Sequence, residues 1–281
     1  MDAILTLSCP DRPGIVAAVA AALARQGADI RDSQQFGDDG TGRFFMRVHA
    51  LLPPALMLSE LRTQLEPVAA AFQMAWELTD ASARPAVLML ASREGHCVND
   101  LLYRWQTGWL PVDIVAVASN HETLQPLVTR YDVPFHHLPV TAATRPEAEA
   151  ALLDLVSASG AEIVVLARYM QVLSDRVCSA LGDRLINIHH SFLPSFRGAG
   201  PYRQAHERGV KLIGATAHYV TVDLDEGPII EQDVGRVDHS LDPATLAAAG
   251  RDIECAVLAR AVRWHAERRV FLNGPRTVVF P

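Results

Sequence analysis

Polar and apolar residues alternate in two different ways along this chain, and the change between them divides it. In residues 2–9 they alternate one by one, as in a strand with one buried face. After Gly14, apolar residues recur at helical spacing, two strand-like runs follow at 28–36 and 43–51, and a helix and a last strand reach Leu78. The predicted order is βαββαβ, which is the ferredoxin-like pattern.

A second pattern begins after a short polar linker at residues 79–85. From Val87 to His189, short apolar runs alternate with helical segments. Such alternation with short connections predicts right-handed βαβ crossovers and a doubly wound, mostly parallel sheet. Two longer strand-like runs, a long helix and a small terminal strand complete the chain. We therefore predict an α/β protein with two domains, at residues 1–80 and 84–281.

The apolar strand that ends at His189 carries two polar residues. Side chains alternate between the faces of a strand, so Asn187 and His189 share one face, about 6–7 Å apart. The same rule predicts that His190 points to the opposite face, which makes the adjacent histidines a poor pair for chelating a metal ion. An amide and an imidazole are thus directed together at one point, and ligands of doubly wound sheets bind outside the carboxyl ends of the strands.

A second polar pair lies in the strand-like run 210–220, where Thr216 and His218 share one face. Asp225 follows in a turn rich in Asp and Gly, from which its carboxylate can fold back toward the sheet. An amide and an imidazolium can hold a developing oxyanion, and a carboxylate can set the proton affinity of a histidine and order an attacking water. Asn187, His189 and Asp225 therefore indicate acyl transfer, although each residue taken singly also fits a structural role.

Composition and motifs argue against several other classes of function. The formal net charge is −7, and no basic run is interleaved with aromatic residues, which disfavours nucleic acid as a ligand. The chain has no apolar run of membrane-spanning length and no basic signal-peptide start, so we expect a cytoplasmic protein. The four cysteines are scattered and no H-E-x-x-H motif occurs, which argues against a disulfide framework and a catalytic metal.

The first loop of the second domain, residues 92–97, has neither a G-x-G-x-x-G nor a Walker pattern. A dinucleotide or nucleoside triphosphate would lack its usual backbone cradle there, so we expect no such cofactor. The loop carries Arg93, Glu94 and His96 instead.

The run CPDRPGIV at residues 9–16 resembles the loop and helix opening of ACT domains, which are small regulatory modules that commonly bind amino acids where they pair. Asp11 and Gly14 fit equally well as a helix cap and a tight turn. The resemblance implies an amino-acid effector, glycine or methionine, and a homo-oligomer, either a dimer or a tetramer.

Motifs of the second domain resemble the signature of the folate-dependent formyltransferases. They are NIHHSFLP at 187–194, GATAHYV at 214–220 and LDEGPII at 224–230. In that superfamily the catalytic Asn, His and Asp fall on Asn187, His189 and Asp225. We expect Thr216 and His218 to orient Asp225, with packing in the strand as the alternative. The run LARYMQVLS at 166–174 resembles the loop that binds the pterin of 10-formyltetrahydrofolate, and 221–225 resembles the opposite wall. The folate-binding residues implied by this resemblance are Tyr169, Met170, Gln171, Leu173, Thr221 and Val222.

From end to end the chain is similar to the formyltetrahydrofolate deformylase family, through GRFFMR at 42–47, GHC at 95–97 and DLL at 100–102. This resemblance implies a hydrolase that acts on a linear amide without a cofactor, converts 10-formyltetrahydrofolate to formate and tetrahydrofolate, supplies formate for purine synthesis and balances one-carbon pools. In the implied reaction, Asp225 orders and helps deprotonate water, while Asn187 and protonated His189 hold the oxyanion. Two alternatives are a formyltransferase with an amine acceptor and a folate-binding sensor without turnover.

Overall fold

The chain folds into two compact units in the computed structural model, which describes residues 1–193 and 201–281. The first unit is Met1–Ala83 together with Glu267–Pro281, and the second is Arg84–Ala266. Pro194, the last residue of the first motif of the second domain, lies outside the described residues.

The first unit contains an antiparallel sheet of order β2-β3-β1-β4, so the predicted βαββαβ arrangement is confirmed. Helix α1 begins directly after Gly14, whose φ of 96° favours a residue without a side chain. Its apolar stripe and that of α2 pack on one face of the sheet and form the core of this unit. The elements are β1 (Asp2–Pro10), α1 (Ile15–Arg25), β2 (Asp29–Asp38), β3 (Arg43–Leu51), α2 (Leu58–Phe72) and β4 (Ala75–Asp80).

The opposite face of this sheet is covered by the carboxyl-terminal hairpin, β12 (Val270–Asn273) and β13 (Arg276–Val279). The ring of Phe271 lies edge-on to Phe45 with centroids 5.9 Å apart, and Asn273 donates a hydrogen bond to Asp38. The sequence predicts this segment as part of the second domain, whereas in the structure it belongs to the first unit. The reason is physical: the partners of the hairpin lie more than two hundred residues earlier in the chain.

The second unit contains a seven-stranded sheet of order β11-β10-β9-β8-β5-β6-β7 within the described residues. Strands β7, β6, β5, β8 and β9 are parallel, whereas β10 is antiparallel to both β9 and β11, so the predicted mostly parallel α/β sheet is confirmed. The elements are β5 (Ala86–Ala91), α3 (His96–Gln106), β6 (Asp113–Ser119), α4 (Gln125–Val128), β7 (Phe135–His137), α5 (Arg145–Ser159), β8 (Ile163–Leu166), α6 (Asp175–Leu181), β9 (Leu185–His189), α7 (Pro201–Glu207), β10 (Leu212–Tyr219), β11 (Ile229–Arg236) and α8 (Pro243–Ala266). Short 3₁₀ turns lie at Glu122–Leu124, Thr129–Tyr131 and Gly182–Arg184.

Burial explains why these strands read as continuous apolar runs. All four residues of β8 are buried, as are five of the six residues of β5. A parallel sheet covered on both faces requires apolar side chains in both directions. Helix α8 packs along β10 and β11 and supplies a long buried stripe. None of the helices in the described ranges is long and apolar enough to cross a membrane.

Two phenylalanines that face each other across β2 and β3 test the role of the hairpin. Phe45 is 0% exposed and Phe36 is 46% exposed, although they are direct cross-strand neighbours. We expect Phe45→Ala to lower the free energy of unfolding by about 3–5 kcal/mol, because it opens a cavity under the hairpin. Phe36→Ala is the matched control and is expected to change it by about 0.5 kcal/mol or less. Equal losses in urea denaturation would contradict this account.

Candidate active site

A cavity of about 250 Å³ opens where the loop after β8 and the turn after β10 meet the end of β9. The three predicted catalytic residues, Asn187, His189 and Asp225, lie on its wall. The residues predicted to bind folate also line it: Tyr169, Met170, Gln171, Leu173, Thr221 and Val222. The structure therefore brings together residues that lie far apart in the sequence.

The register between β9 and β10 sets the positions of the polar side chains. Asn187 pairs with His218, and His189 pairs with Thr216, across the antiparallel ladder. Residues directly opposite each other in such a ladder point to the same face of the sheet. Two polar positions on each of two apolar strands are thus concentrated in one patch.

His218 is held in one orientation and one tautomer. Its Nδ1 lies 2.8 Å from the backbone oxygen of Tyr219, which can only accept, so Nδ1 carries the proton. Burial lowers the pKa of His218, so its Nε2 keeps a lone pair and accepts a hydrogen bond from Nδ2 of Asn187, 3.1 Å away. An amide nitrogen has two N–H groups, so Asn187 retains one for a ligand in the cavity.

Asp225 reaches the site because its turn folds tightly back on β10. Its φ of 57° lies in the left-handed region, which few residues other than glycine adopt. Two residues later, a Cβ added at Gly227 would lie 1.7 Å from the backbone oxygen of Tyr219. Only glycine permits this close approach, which makes Gly227 a sequence signal for the turn.

The carboxylate of Asp225 and the imidazole of His189 form a pair. Asp225 Oδ1 lies 3.3 Å from His189 Nδ1 and 3.8 Å from His218 Nε2. The hydrogen bond from His189 holds the pKa of Asp225 below its usual value, against the opposing effect of burial. His189 Nε2 is buried and has no hydrogen-bond partner among the described residues. An imidazole held on one side and unpartnered on the other is suited to bind or protonate a ligand atom.

Thr216 lies on the predicted strand face, opposite His189, but its described hydrogen bonds go to groups other than Asp225. Its hydroxyl donates to the backbone oxygen of Ser191 at 3.0 Å and accepts from the backbone N–H of Leu193 at 3.1 Å and from Gln232 at 2.9 Å. These bonds use its capacity, and it is fully buried outside the cavity wall. The prediction that Thr216 orients Asp225 is therefore corrected: Thr216 fixes the chain that follows His189.

The loop over residues 167–174 is anchored near its middle and at its carboxyl end. The backbone N–H of Met170 donates to Ser92 Oγ at 2.9 Å, and the backbone N–H of Ser174 donates to Glu149 at 2.9 Å. The side chains of exposed apolar residues border the cavity: Met170, Val172, Val222 and Leu224. A rigid loop with an apolar rim suits a ligand that has flat ring systems.

His190 also lines the cavity, contrary to the expectation that it points away from His189. Strand β9 ends at His189, so the alternation of side chains stops there. The two imidazole rings stack with centroids 5.3 Å apart and an interplanar angle of 7°. Arg168, from the loop after β8, donates a hydrogen bond to His190 Nδ1.

Glu254 anchors the side of the site behind Arg168, and sequence reasoning missed it. It lies in α8 at four-residue spacing from the buried residues Leu246, Gly250 and Leu258, so an acidic residue in a buried stripe was its signal. Its carboxylate accepts hydrogen bonds from His96 at 2.8 Å and from Tyr202 at 2.5 Å, and lies 3.4 Å from Arg168 Nε.

His96, Cys97 and Glu254 place three metal-ligand atoms within 4.8 Å of one another. Each of them has a protein partner, because His96 bonds to Glu254 and Cys97 is hydrogen-bonded to Cys255. That bond, together with burial, raises the pKa of the Cys97 thiol, which opposes the thiolate form that binds metals. We therefore assign this group to a hydrogen-bonded network.

Comparisons with known families agree with this division of the chain. A family model described as "Formyl transferase" matches residues 86–262, and one described as "ACT domain" matches residues 3–66. The fold and the site thus define a formyl transferase domain that is joined to an ACT domain.

Relatives that match over the full length show which family within this class of proteins the chain resembles. The formyltetrahydrofolate deformylase of Corynebacterium sp. (strain P-1) is 53% identical, over 98% of this chain and 97% of its own length. The formyltetrahydrofolate deformylase of Bacillus subtilis is 49% identical, over 98% of this chain and 93% of its own. The crystal structure of the Burkholderia mallei formyltetrahydrofolate deformylase superposes with a TM-score of 0.95 at 54% identity, covering 100% of this chain and 99% of that one. The chain belongs to the formyltetrahydrofolate deformylase family.

The pairing of His189 with Asp225 can be measured without any substrate. We expect His189→Ala to raise the pKa of Asp225, because the hydrogen bond that lowers it most is lost while the opposing effect of burial remains. A carboxyl group whose pKa is lowered by folding stabilises the fold at a pH above its unfolded pKa, and this contribution is lost as the pH falls through the folded pKa. The free energy of unfolding of the variant should therefore decrease less as the pH is lowered. Carboxyl ¹³C NMR against pH measures the shift.

The control for this measurement is His137→Ala, which removes a histidine that pairs with Glu122 at 3.2 Å in another part of the sheet. It is expected to leave the titration of Asp225 unchanged. An unchanged Asp225 pKa in His189→Ala itself would show that the two side chains are not coupled.

Proposed function

We propose that this chain hydrolyses 10-formyltetrahydrofolate to formate and tetrahydrofolate. The observation that carries the proposal is His189, which bonds to Asp225 through Nδ1 and keeps Nε2 unpartnered among the described residues, beside the amide of Asn187. The names of the full-length relatives support the substrate and the hydrolytic outcome.

Different walls of the cavity suit the polar edge and the apolar faces of the rings of a folate. The anchored loop at 167–174 offers backbone groups for a polar pterin edge, and Tyr169 and Leu173 pack against the core beneath it. The apolar rim with Met170 and Val222 suits the faces of the rings. This arrangement supports a pose in which the formyl group on N10 lies beside His189.

The chemistry follows from the three polar groups. Asp225 orders a water and helps to remove its proton as the water oxygen attacks the formyl carbon. Asn187 Nδ2–H and protonated His189 Nε2–H donate to the oxyanion of the tetrahedral intermediate. The bond between carbon and N10 then breaks with its electron pair on nitrogen, which takes a proton from His189 or from water. One water is consumed, the products are tetrahydrofolate, formate and a proton, and no cofactor enters the balance.

We further propose that the formate supplies purine synthesis and that the reaction balances one-carbon pools. The ACT domain match supports a regulatory role for the first unit, and glycine or methionine is the proposed effector. We also propose that the chain forms a dimer or tetramer, because ACT modules commonly pair. Size-exclusion chromatography, repeated with glycine and with methionine, tests the proposed effector and the proposed oligomer. A monomer at micromolar concentration contradicts the oligomer.

The main alternative is a formyltransferase that passes the formyl group to an amine. Incubating the full chain with 10-formyltetrahydrofolate alone separates the alternatives. Release of formate without any amine supports hydrolysis, turnover that requires an added amine supports the transferase, and binding without turnover supports a sensor.

The assigned role of Asp225 predicts a large loss of activity when this carboxylate is removed and none when an aspartate outside the site is changed. Asp225→Asn is expected to lower kcat for formate release at least about 100-fold, with a small change in KM, since it removes a general base and leaves the cavity walls intact. Asp132→Asn is the matched control, because Asp132 has the same φ of 57° as Asp225 but is exposed and lies outside the cavity wall. Near wild-type formate release by Asp225→Asn would remove Asp225 from the mechanism.

A further inference from the structure

His190 is held in a form that cannot accept a second proton without breaking a hydrogen bond. Its Nδ1 receives a hydrogen bond from Nη1 of Arg168, and a guanidinium group can only donate. An imidazolium carries a hydrogen on both ring nitrogens and cannot accept such a bond. The geometry therefore defines His190 as a neutral imidazole with its proton on Nε2.

Arg168 is itself fixed by two carboxylates. Glu94 Oε2 accepts from Arg168 Nε at 3.2 Å and from Nη2 at 3.0 Å, and Glu254 Oε2 lies 3.4 Å from Nε. Glu254 is 0% exposed and is also bonded by His96 and Tyr202. The guanidinium group thus cannot turn away from His190 without leaving Glu254 partly unpaired in the interior, which is costly.

Of the charges that face His190, some lower its pKa and others raise it. Among the described residues, the titratable groups around it are Arg168, His189, Glu94, Glu254, Tyr202 and Asp225. Burial, together with the positive charge of Arg168, lowers the pKa of His190 to about 4, although Glu254 and Glu94 favour its protonated form. Without Arg168, burial and His189 still lower the pKa of His190, but the guanidinium charge no longer offsets these carboxylates, so the pKa rises toward its ordinary value.

A proton on His190 would act against His189. The two rings are stacked with centroids 5.3 Å apart, so two imidazolium charges would repel each other at short range. His189 is the ring that pairs with Asp225, at 3.3 Å, and keeps Nε2 free of described partners. The proton is useful on His189 and obstructive on His190.

We propose that Arg168 is a positioning residue that holds His190 as a neutral imidazole, so that His189 alone carries the proton used in the hydrolysis. The catalytic consequence rests on the proposed function. The state of His190 does not, and it can be measured in the absence of substrate.

The first experiment determines the tautomer of His190 in the wild-type chain. Long-range ¹H–¹⁵N NMR distinguishes neutral imidazoles protonated at either nitrogen from imidazolium, and the signals of His190 are assigned by their loss in His190→Gln. We expect the Nε2-protonated neutral form at neutral pH and down to about pH 5, because the pKa is near 4. An imidazolium, or a proton on Nδ1, at neutral pH overturns the proposal whether or not Arg168→Gln folds.

The second experiment removes the guanidinium group. Arg168→Gln is expected to move the titration of His190 from about 4 toward the ordinary 6.5. The control is Arg104→Gln, since Arg104 bonds to Asp100 at 2.7 Å and lies over Trp109 in the same unit. It should leave His190 unchanged. An unchanged His190 titration in Arg168→Gln overturns the proposal.

The pH profile of formate release then tests the catalytic consequence. In Arg168→Gln the loss in kcat/KM is expected to be larger at about pH 6 than at about pH 8, because His190 becomes charged in this range. A loss in kcat/KM that is equal at both pH values shows that Arg168 has a merely structural role, and it contradicts the proposed effect of a neutral His190 on catalysis. Absence of formate release in the wild type as well would instead contradict the proposed function and leave the NMR result standing.

Discussion

The antiparallel register between β9 and β10 is the constraint on which the site depends. It sets Asn187 opposite His218 and His189 opposite Thr216, on strands that are otherwise apolar and buried. A slip of one residue would turn each of these side chains to the other face of the sheet. Because unpaired polar groups are costly in such an interior, the correct register is also the one that lets His218 bond to Asn187 and to the backbone of Tyr219.

Two other features of the site are conformations that the chain adopts at a cost. Arg168 and Asp225 both have positive φ, 65° and 57°, although neither is glycine. Such a conformation costs about 1–2 kcal/mol for a residue with a side chain. In each case the side chain makes an ion pair that the conformation permits, with Glu94 and Glu254 for Arg168 and with His189 for Asp225. At both residues, an unfavourable backbone conformation therefore occurs together with an ion pair to a residue far away in the chain.

The sequence predicts most of the fold and the central part of the site. Alternation of apolar residues locates the strands, and the period of two places Asn187 and His189 on one face. The features that the sequence does not predict depend on where a strand, and with it the alternation of its side chains, ends, and on contacts between residues that lie far apart in the chain. His190 joins the cavity because β9 stops one residue earlier. Thr216 bonds to the chain after His189, and the hairpin at 270–279 packs on Phe45, neither of which a local pattern encodes.

The buried network around Glu254 is difficult to explain by stability alone. A fully buried carboxylate with charged partners contributes little net stability, since desolvation offsets the attraction, and apolar residues of similar volume often serve as well. Burial alone would raise the pKa of Glu254, but the hydrogen bond from His96 and the charge of Arg168 outweigh it and keep the group ionised.

The position of this carboxylate is also set by packing one helical turn away. A Cβ added at Gly250 would lie 2.1 Å from the ring of Tyr202, so the absence of a side chain there lets Tyr202 reach Glu254. A glycine in a helix interior costs about 1 kcal/mol relative to alanine. The chain thus combines a costly glycine, a costly buried charge and a strained arginine, and the common result of all three is a guanidinium group fixed against His190, beside the histidine that pairs with Asp225.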